Sequence, residues 1–190
     1  MCPDTKALLA YVKSELFFAA ICYYIKINPK PITAMAKKIA EQLIDTLVKS
    51  GVERIYAVTG DSLNEVNEAV RKNDQIKWIH VRHEETGAYA AAAEAQLTGR
   101  PGCCAGSSGP GHVHLINGLY DAHRSGAPVI AIASTIPTGE FGTEYFQETN
   151  TIKLFNDCSY YNEVATTPTQ FPRMLQSACL LYTSPSPRDS

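Results

Sequence analysis

Apolar residues recur between positions 35 and 178 with two alternating periodicities. Stretches in which they return every three or four residues predict helices that bury one face, and short apolar runs predict strands. Helices that alternate with strands predict an α/β fold, here a doubly wound, mainly parallel sheet flanked by helices. The patterns place helices at 36–50, from Ser62 onward, and at 84–97, 112–123, 151–157 and 168–178, and strands at 54–58, 76–81, 103–105, 128–133 and 160–165.

Several residues predict how these elements begin, end and pack. Gly51 follows the first helix, where a glycine commonly adopts the left-handed conformation that ends a helix. Ser62 and Glu65 have the spacing of a capping box, which would satisfy free amide groups at the start of a helix. The run 128–133 has no alternating polar positions, so we expect a strand that is covered on both faces.

The composition excludes some classes of function. The 190 residues suffice for one domain with a full core, and the formal net charge of −2 comes with no basic stripe that would indicate nucleic-acid binding. The six cysteines lack the spacing of a zinc site. They predict reduced thiols in a cytoplasmic protein.

The two ends of the chain differ from its middle. Residues 1–34 contain an apolar stretch broken by charges, and its longest uncharged run, Leu16 to Ile25, is shorter than the roughly 20 residues that span a bilayer. We expect a non-native or disordered leader there, with a membrane anchor as the alternative. Residues 179–190 have no periodicity, so we expect the last helix to end before Cys179 and a non-native tail to follow. The folded domain is therefore predicted at 35–178.

Polar and charged residues gather where the predicted strands end, at 59–62, 82–85, 106–111 and 134–147. In a doubly wound sheet, ligands bind beyond the carboxyl ends of the strands. Glu84 directly follows a strand and opens an alanine-rich helix. It either stabilises the helix dipole or supplies a carboxyl group, held in a dry pocket, for acid–base chemistry.

The remaining candidates at this edge give weaker signals. The run 106–111 lacks the lysine and hydroxyl residue of a phosphate-binding P-loop, and its Gly-Pro-Gly sequence also fits a tight turn. His112 and His114 are two residues apart, so they would point to different faces of a helix. With no third ligand evident in the sequence, we predict no metal site.

Five segments in this order are specific enough to indicate a family: Val58–Asn64, Arg82–Glu85, Gly106–Gly111, His114–Ala122 and Tyr145–Thr149. They resemble the pyrimidine-binding (Pyr) domain of thiamine diphosphate (ThDP) enzymes, and within them the pyruvate oxidase and pyruvate dehydrogenase (quinone) group. The stretch from His112 to Asp121 is similar to that group rather than to acetolactate synthases.

The resemblance implies roles for particular residues. In this family a glutamate after a His or Asn position hydrogen-bonds N1′ of the cofactor's aminopyrimidine and activates the thiazolium, which selects Glu84 over Glu85. The glutamine of a Phe-Gln-Glu segment reaches toward the substrate, which implies a catalytic role for Gln147. The implied cofactor-binding residues are Glu84, His83, Gly109, Pro110, Gly111 and Asn117.

The resemblance also implies what a complete enzyme would do. It would be a homo-oligomer, a dimer or tetramer, that converts pyruvate oxidatively to acetate or acetyl phosphate in the cytoplasm, with peripheral contact to a membrane quinone. Mg²⁺, the diphosphate and FAD would be bound by further domains that no segment here resembles, so we expect the chain alone to be inactive. Two alternatives stay open: the Pyr domain of an acetolactate synthase or another 2-oxo acid decarboxylase, and a stand-alone Pyr subunit or binding module.

Overall fold

A computed structural model describes residues 37–183, so the predictions for residues 1–34 and for 184–190 lie outside the described residues. Short 3₁₀ turns cover Asp61–Leu63 and Thr138–Glu140. None of the helices within 37–183 combines the length and the apolar character needed to cross a bilayer. The main elements are α1 (Ile39–Lys49), β1 (Arg54–Ala57), α2 (Asn64–Arg71), β2 (Lys77–His80), α3 (Glu84–Thr98), β3 (Gly102–Gly106), α4 (Pro110–His114), α5 (Ile116–Ser125), β4 (Val129–Ala133), α6 (Thr151–Phe155) and α7 (Phe171–Thr183).

The four strands form one sheet in the order β2-β1-β3-β4, and every pair is parallel. Ile55 of β1 lies opposite Trp78 of β2, and Cys104 of β3 lies opposite Ala131 of β4. The chain moves from β1 to β2 on one side and then to β3 and β4 on the other, so its direction reverses between β1 and β3. The predicted parallel, doubly wound fold is confirmed. Ligands of this fold class bind at that reversal point.

Helices cover both faces of the sheet. On one face α1, α2 and α7 contribute to a core with Ile55 and Cys103, and on the other α3 and α5 contribute to a core with Cys104 and Leu115. The adjacent cysteines point to opposite faces because side chains alternate along a strand. Burial raises the pKa of both thiols, that of Cys104 to about 12. At neutral pH both therefore stay protonated and are poor nucleophiles.

Small residues let α3 lie unusually close to its neighbours. Ala88 and Ala91 of α3 are fully buried. A Cβ atom on Gly102 would lie 2.1 Å from the carbonyl oxygen of Ala91, and one on Gly118 of α5 would lie 2.5 Å from the Cβ atom of Ala88. These contacts fix α3, and with it Glu84 at its first turn, against β3 and α5.

The structure also tests the local signals. Gly51 has a φ of 91° and follows α1, as predicted. The predicted capping box is wrong. Ser62 lies in the 3₁₀ turn before α2, and its Oγ atom is hydrogen-bonded to the loop after β3. Glu65 forms an ion pair with Lys38 instead. The single helix expected at 112–123 is also wrong, because the chain divides into α4 and α5 at the buried Leu115. Tertiary partners outweigh the local preference in both places.

The predictions for the last third of the domain have different outcomes. β4 packs on both faces as predicted, with residues 130 and 132 against one core and residues 129 and 133 against the other, although it is an edge strand of the described sheet and Ala131 is exposed. The strand predicted at 160–165 is wrong: no strand forms there in the described part of the chain, and the Asn162 side chain donates to the carbonyls of Thr151 and Ile152. The helix end predicted before Cys179 is also wrong: α7 continues to Thr183, and residues 179–183 include no proline or glycine that would break it.

Candidate functional site

The loops that follow β1, β3 and β4 meet at one edge of the sheet, and Ser62 joins them. Its Oγ atom lies 2.8 Å from Ser107 Oγ and accepts a hydrogen bond of 3.0 Å from the Ser108 amide. Its carbonyl accepts a hydrogen bond of 2.8 Å from Ser134 Oγ. Sequence reasoning assigned Ser62 to helix capping and missed this role. Its position at the end of a predicted strand was the signal that could have indicated it.

Glu84 lies at this edge as the first residue of α3, and its side chain is only 12% exposed. The helix does not need this carboxyl group as a cap. His83 is the N-cap residue, and its Nδ1 atom accepts a hydrogen bond of 3.3 Å from the Glu85 amide. An acid that only served the helix dipole could remain in water, whereas burying a carboxylate is costly. The burial of Glu84 therefore favours a chemical role.

His114, at the end of α4, is the partner of Glu84. Its Nδ1 atom lies 3.0 Å from Glu84 Oε2, and its ring stacks on that of His83 with 4.4 Å between centroids. The bond requires one proton between the two groups, held by either the imidazole or the carboxyl group. This pairing depends on how α3 and α4 pack, so the spacing of the histidines along the chain did not indicate it.

The same cluster bears on the prediction that no metal binds. His83, Glu84 and His114 each offer a ligand atom, and these atoms all lie within 4.8 Å of one another. Imidazole and carboxylate are donors that transition metals accept. The sequence showed no third ligand, and that expectation is wrong, because the fold brings His83, Glu84 and His114 together. The absence of a metal in the working site itself stays a prediction.

The other predicted pocket residues lie around Glu84 at different distances. Gly111 is buried beside it, and a Cβ atom at Gly111 would lie 3.4 Å from Glu84 Oε1. Pro110 occupies the first turn of α4 and is exposed. Asn117 donates a hydrogen bond of 3.2 Å to Glu85 Oε1, so the structure brings Asn117 to the neighbouring acid. Their roles toward a cofactor stay predictions.

Gly109 and Gln147 come together in a way that only glycine permits. Gly109 has φ 67° and ψ −122°, and a Cβ atom there would lie 2.7 Å from the Cβ atom of Gln147. Ser108 Oγ donates a hydrogen bond of 2.9 Å to Gln147 Oε1. Gln147 itself has a φ of 66°, which is uncommon for a residue with a side chain. The loop after β4 is thus held directly over the Gly-Pro-Gly turn.

We expect Gly109→Ala to displace Gln147, whereas Gly126→Ala should not alter the site. Both glycines have nearly the same φ, 67° and 69°, but a Cβ atom at Gly126 would have no neighbour within 4 Å. Alanine at Gly126, with ψ 20°, costs about 1–2 kcal/mol of left-handed backbone strain. At Gly109, where ψ is −122°, a residue with a side chain is more strained, and its Cβ atom also collides with Gln147. Backbone amide spectra would show the difference. Equal changes at Gln147 in both variants would contradict the close contact.

Aromatic side chains surround an open groove of about 820 Å³ next to Gln147. Phe146 is 80% exposed and Tyr145 46% exposed. Apolar surface of this kind on a soluble domain is typical of a surface that contacts another protein chain or domain. The residues that line the groove include Ile136, Phe141, Tyr145, Phe146, Gln147 and Val164.

The chain is similar to known proteins over most of its described length. Residues 37–154 match a family model described as "Thiamine pyrophosphate enzyme, N-terminal TPP binding domain". The chain is 55% identical over 141 residues to an uncharacterized 42.6 kDa protein of Pseudomonas amyloderamosa. It is 46% identical over 146 residues to the putative thiamine pyrophosphate-containing protein YdaP of Bacillus subtilis, and 41% identical over 137 residues to the pyruvate oxidase of Lactiplantibacillus plantarum.

These similarities cover most of this chain but a minor part of each relative. The three alignments include 74%, 76% and 72% of this chain, and 36%, 25% and 23% of the respective relatives. Acetolactate synthases of plant chloroplasts match as well, at 32–34% identity. The chain thus spans about a quarter to a third of the length of the curated relatives named here.

Proposed function

Because the chain belongs to the thiamine pyrophosphate enzymes and forms their N-terminal TPP-binding domain, we propose that the carboxyl group of Glu84 activates the pyrimidine end of ThDP. One observation carries the proposal: Glu84 is buried at the carboxyl edge of the sheet although α3 is capped by His83. Burying a carboxyl group is costly, and a buried one that does not serve as the helix cap is suited to bind a ligand.

The residues present fit the pyrimidine ring of ThDP. Glu84 Oε2 is engaged by His114, whereas Oε1 makes no hydrogen bond within residues 37–183. Gly111 has no side chain to fill the space beside Oε1. Glu84 would therefore hold the ring nitrogen through Oε1, next to Gly111. When bound, ThDP supplies the carbon that attacks the substrate carbonyl and the electron sink for decarboxylation.

Glu84 and His114 would then transfer one proton between the solvent and the bound cofactor. Glu84 is shielded from water, while the His114 side chain is 43% exposed and shares a hydrogen bond with it. His114 can thus receive a proton from solvent on one side and pass it to Glu84 Oε2 on the other. A positioned acid–base group of this kind contributes about 10²–10⁴-fold to a reaction rate.

Gln147 is proposed to face the substrate. Its Oε1 atom accepts from Ser108, so its amide nitrogen remains available as a donor. An amide donor beside the reacting centre suits the carbonyl or carboxylate oxygen of a 2-oxo acid such as pyruvate. The left-handed backbone of Gln147 and its contact with Gly109 hold this donor in one place.

For the complete enzyme we propose the oxidative decarboxylation of pyruvate, as in pyruvate oxidase or pyruvate dehydrogenase (quinone). The similarity to a pyruvate oxidase and the segment 112–121 support this choice. An acetolactate synthase, supported by the similarity to the plant enzymes, is an equally open alternative. Mg²⁺, the diphosphate and FAD would be held outside this domain, and the exposed aromatic residues near Gln147 suit a homo-oligomer. We propose a cytoplasmic enzyme with peripheral membrane contact.

Product analysis decides between these activities. The full-length enzyme, supplied with ThDP, Mg²⁺, FAD and pyruvate, should produce acetate or acetyl phosphate and reduce ferricyanide. Acetolactate without ferricyanide reduction would assign the alternative activity instead. The 190-residue chain under the same conditions should show no turnover, because we expect the diphosphate of ThDP to be bound by a domain that no segment of this sequence resembles. Turnover by the 190-residue chain alone would contradict the proposal that the diphosphate, Mg²⁺ and FAD are bound outside this domain.

A further inference from the structure

His112, which the proposed function does not use, is a fully buried polar side chain in the site region. It is 0% exposed. Its Nδ1 atom lies 2.8 Å from the carbonyl oxygen of Ser134, and its Nε2 atom lies 2.5 Å from Thr149 Oγ1. Its ring also packs edge-on against Phe155. His112 thereby connects the end of β4 with the segment just after Gln147.

The two bonds define the state of the ring. A carbonyl oxygen can only accept, so Nδ1 must carry a hydrogen and donate it to Ser134. In the neutral ring, Nε2 then accepts from the hydroxyl of Thr149. Burial lowers the pKa of His112, against the opposing effect of the Ser134 carbonyl. The neutral ring protonated on Nδ1 is therefore the form that fits both partners.

These bonds close a chain of contacts that we call the polar ring, made of Ser62, Ser108, Ser134, His112 and Thr149. It begins at Gln147 Oε1, which accepts from Ser108 Oγ, and continues from the Ser108 amide to Ser62 Oγ. From the Ser62 carbonyl it passes to Ser134 Oγ, and from the Ser134 carbonyl to His112. His112 bonds Thr149, two residues from Gln147, where the ring closes.

The polar ring explains how Gln147 keeps an unfavourable backbone. The left-handed backbone conformation costs a residue other than glycine about 1–2 kcal/mol, and it persists only where surrounding contacts stabilise it. Gln147 has φ 66° and Glu144, three residues earlier, has φ 58°. Ser108 anchors the Gln147 side chain, and His112 anchors the chain just beyond it through Thr149. Without the second anchor, the backbone of Gln147 can relax.

We infer that His112 is a positioning residue: as a buried clamp between Ser134 and Thr149, it holds Gln147 in its left-handed conformation over Gly109. The clamp itself depends only on contacts within this chain. Its importance for catalysis rests on the proposed function, in which Gln147 faces the substrate. His112 touches neither the proposed cofactor site at Glu84 nor the amide of Gln147, and it acts through Thr149.

The proposed role of His112 can be tested on the 190-residue chain by changing its partner Thr149, which leaves the buried imidazole of His112 in place. Thr149→Val removes only the hydroxyl group that bonds His112, and Thr149→Ser retains it. The amide of Glu148, bonded to the Tyr145 carbonyl at 2.8 Å, reports on the loop by hydrogen exchange. We expect exchange about five- to tenfold faster in Thr149→Val, corresponding to one lost hydrogen bond, and near-normal exchange in Thr149→Ser.

Matched controls separate a local effect from general destabilisation. Thr143→Val removes a hydroxyl from the same loop that bonds only the Glu140 carbonyl, and it should leave the Glu148 amide unchanged. Amides of β1 and β3 should exchange at the wild-type rate in all three variants. Equal exchange at Glu148 in Thr149→Val and Thr149→Ser would overturn the proposal. So would nitrogen chemical shifts that place the His112 hydrogen on Nε2.

The catalytic consequence is measured separately in the full-length enzyme. There Thr149→Val should raise KM for pyruvate several-fold, while the activation of ThDP through Glu84 stays at the wild-type rate. The Thr149→Ser variant should restore KM. A faster-exchanging loop combined with an unchanged KM would contradict the substrate role of Gln147 and leave the clamp standing, so the two proposals fail by different results.

Discussion

Replacing Glu84 by Gln in the full-length enzyme is expected to slow proton exchange at C2 of bound ThDP, the thiazolium carbon that attacks the substrate, by about 10²–10⁴-fold. Glutamine has nearly the same shape and can still hydrogen-bond His114, so the local fold should survive. It cannot gain or lose a proton, however, and the Glu84–His114 pair would no longer transfer one. Proton exchange at C2, followed by NMR after acid quench, measures this step before any substrate is present.

Glu85→Gln is the matched control for this experiment. It removes the same charge from the same helix turn, but the half-buried Glu85 carboxylate contacts Asn117 and His83 and has no contact with His114 among the described hydrogen bonds and ion pairs. We expect C2 exchange within about twofold of wild type, because a surface charge at a helix start contributes only about 0.3–1 kcal/mol to stability. Wild-type exchange in Glu84→Gln, or equal losses in both variants, would contradict the assignment of the activating carboxyl group to Glu84.

Gly118→Ala is expected to destabilise the domain by about 1–3 kcal/mol, although alanine is the better helix former. By intrinsic propensity alone the change would stabilise α5 by about 1 kcal/mol. The new Cβ atom, however, would lie 2.5 Å from the Cβ atom of Ala88 and 2.8 Å from the amide nitrogen of Tyr89. The second of these is a backbone atom, so relief requires that α3 and α5 move apart, and the packing cost exceeds the gain in propensity.

Urea unfolding would measure this effect, with Gly139→Ala as the control. Gly139 lies in the 3₁₀ turn after β4, where a Cβ atom would have no neighbour within 4 Å, so its replacement should change the free energy of unfolding little. Both variants should have the same dependence on urea concentration as the wild type, with a lower midpoint only for Gly118→Ala. A higher midpoint for Gly118→Ala would show that α3 and α5 do not touch there.

Both predictions concern residues whose position in an element was evident from the sequence. Glu84 was expected at the start of a helix after a strand, and it is the first residue of α3. Such placements succeed because apolar periodicity is a local property that burial of one face imposes directly. Where local signals failed, a distant partner had taken the side chain. Ser62 bonds Ser107 and Ser108 instead of capping α2, and Asn162 bonds α6 where a strand was expected.

The sequence by itself determined the class of fold, and it predicted the sheet edge of the candidate site and the position of Glu84 there. Only the tertiary structure decided which side chains meet there. His114 reaches Glu84 across 30 positions, and Ser134 reaches Ser62 across 72. Periodicity states which face of an element is buried, but not which element covers it. That depends on the strand order β2-β1-β3-β4, which brings the loops after β1, β3 and β4 together around Gln147.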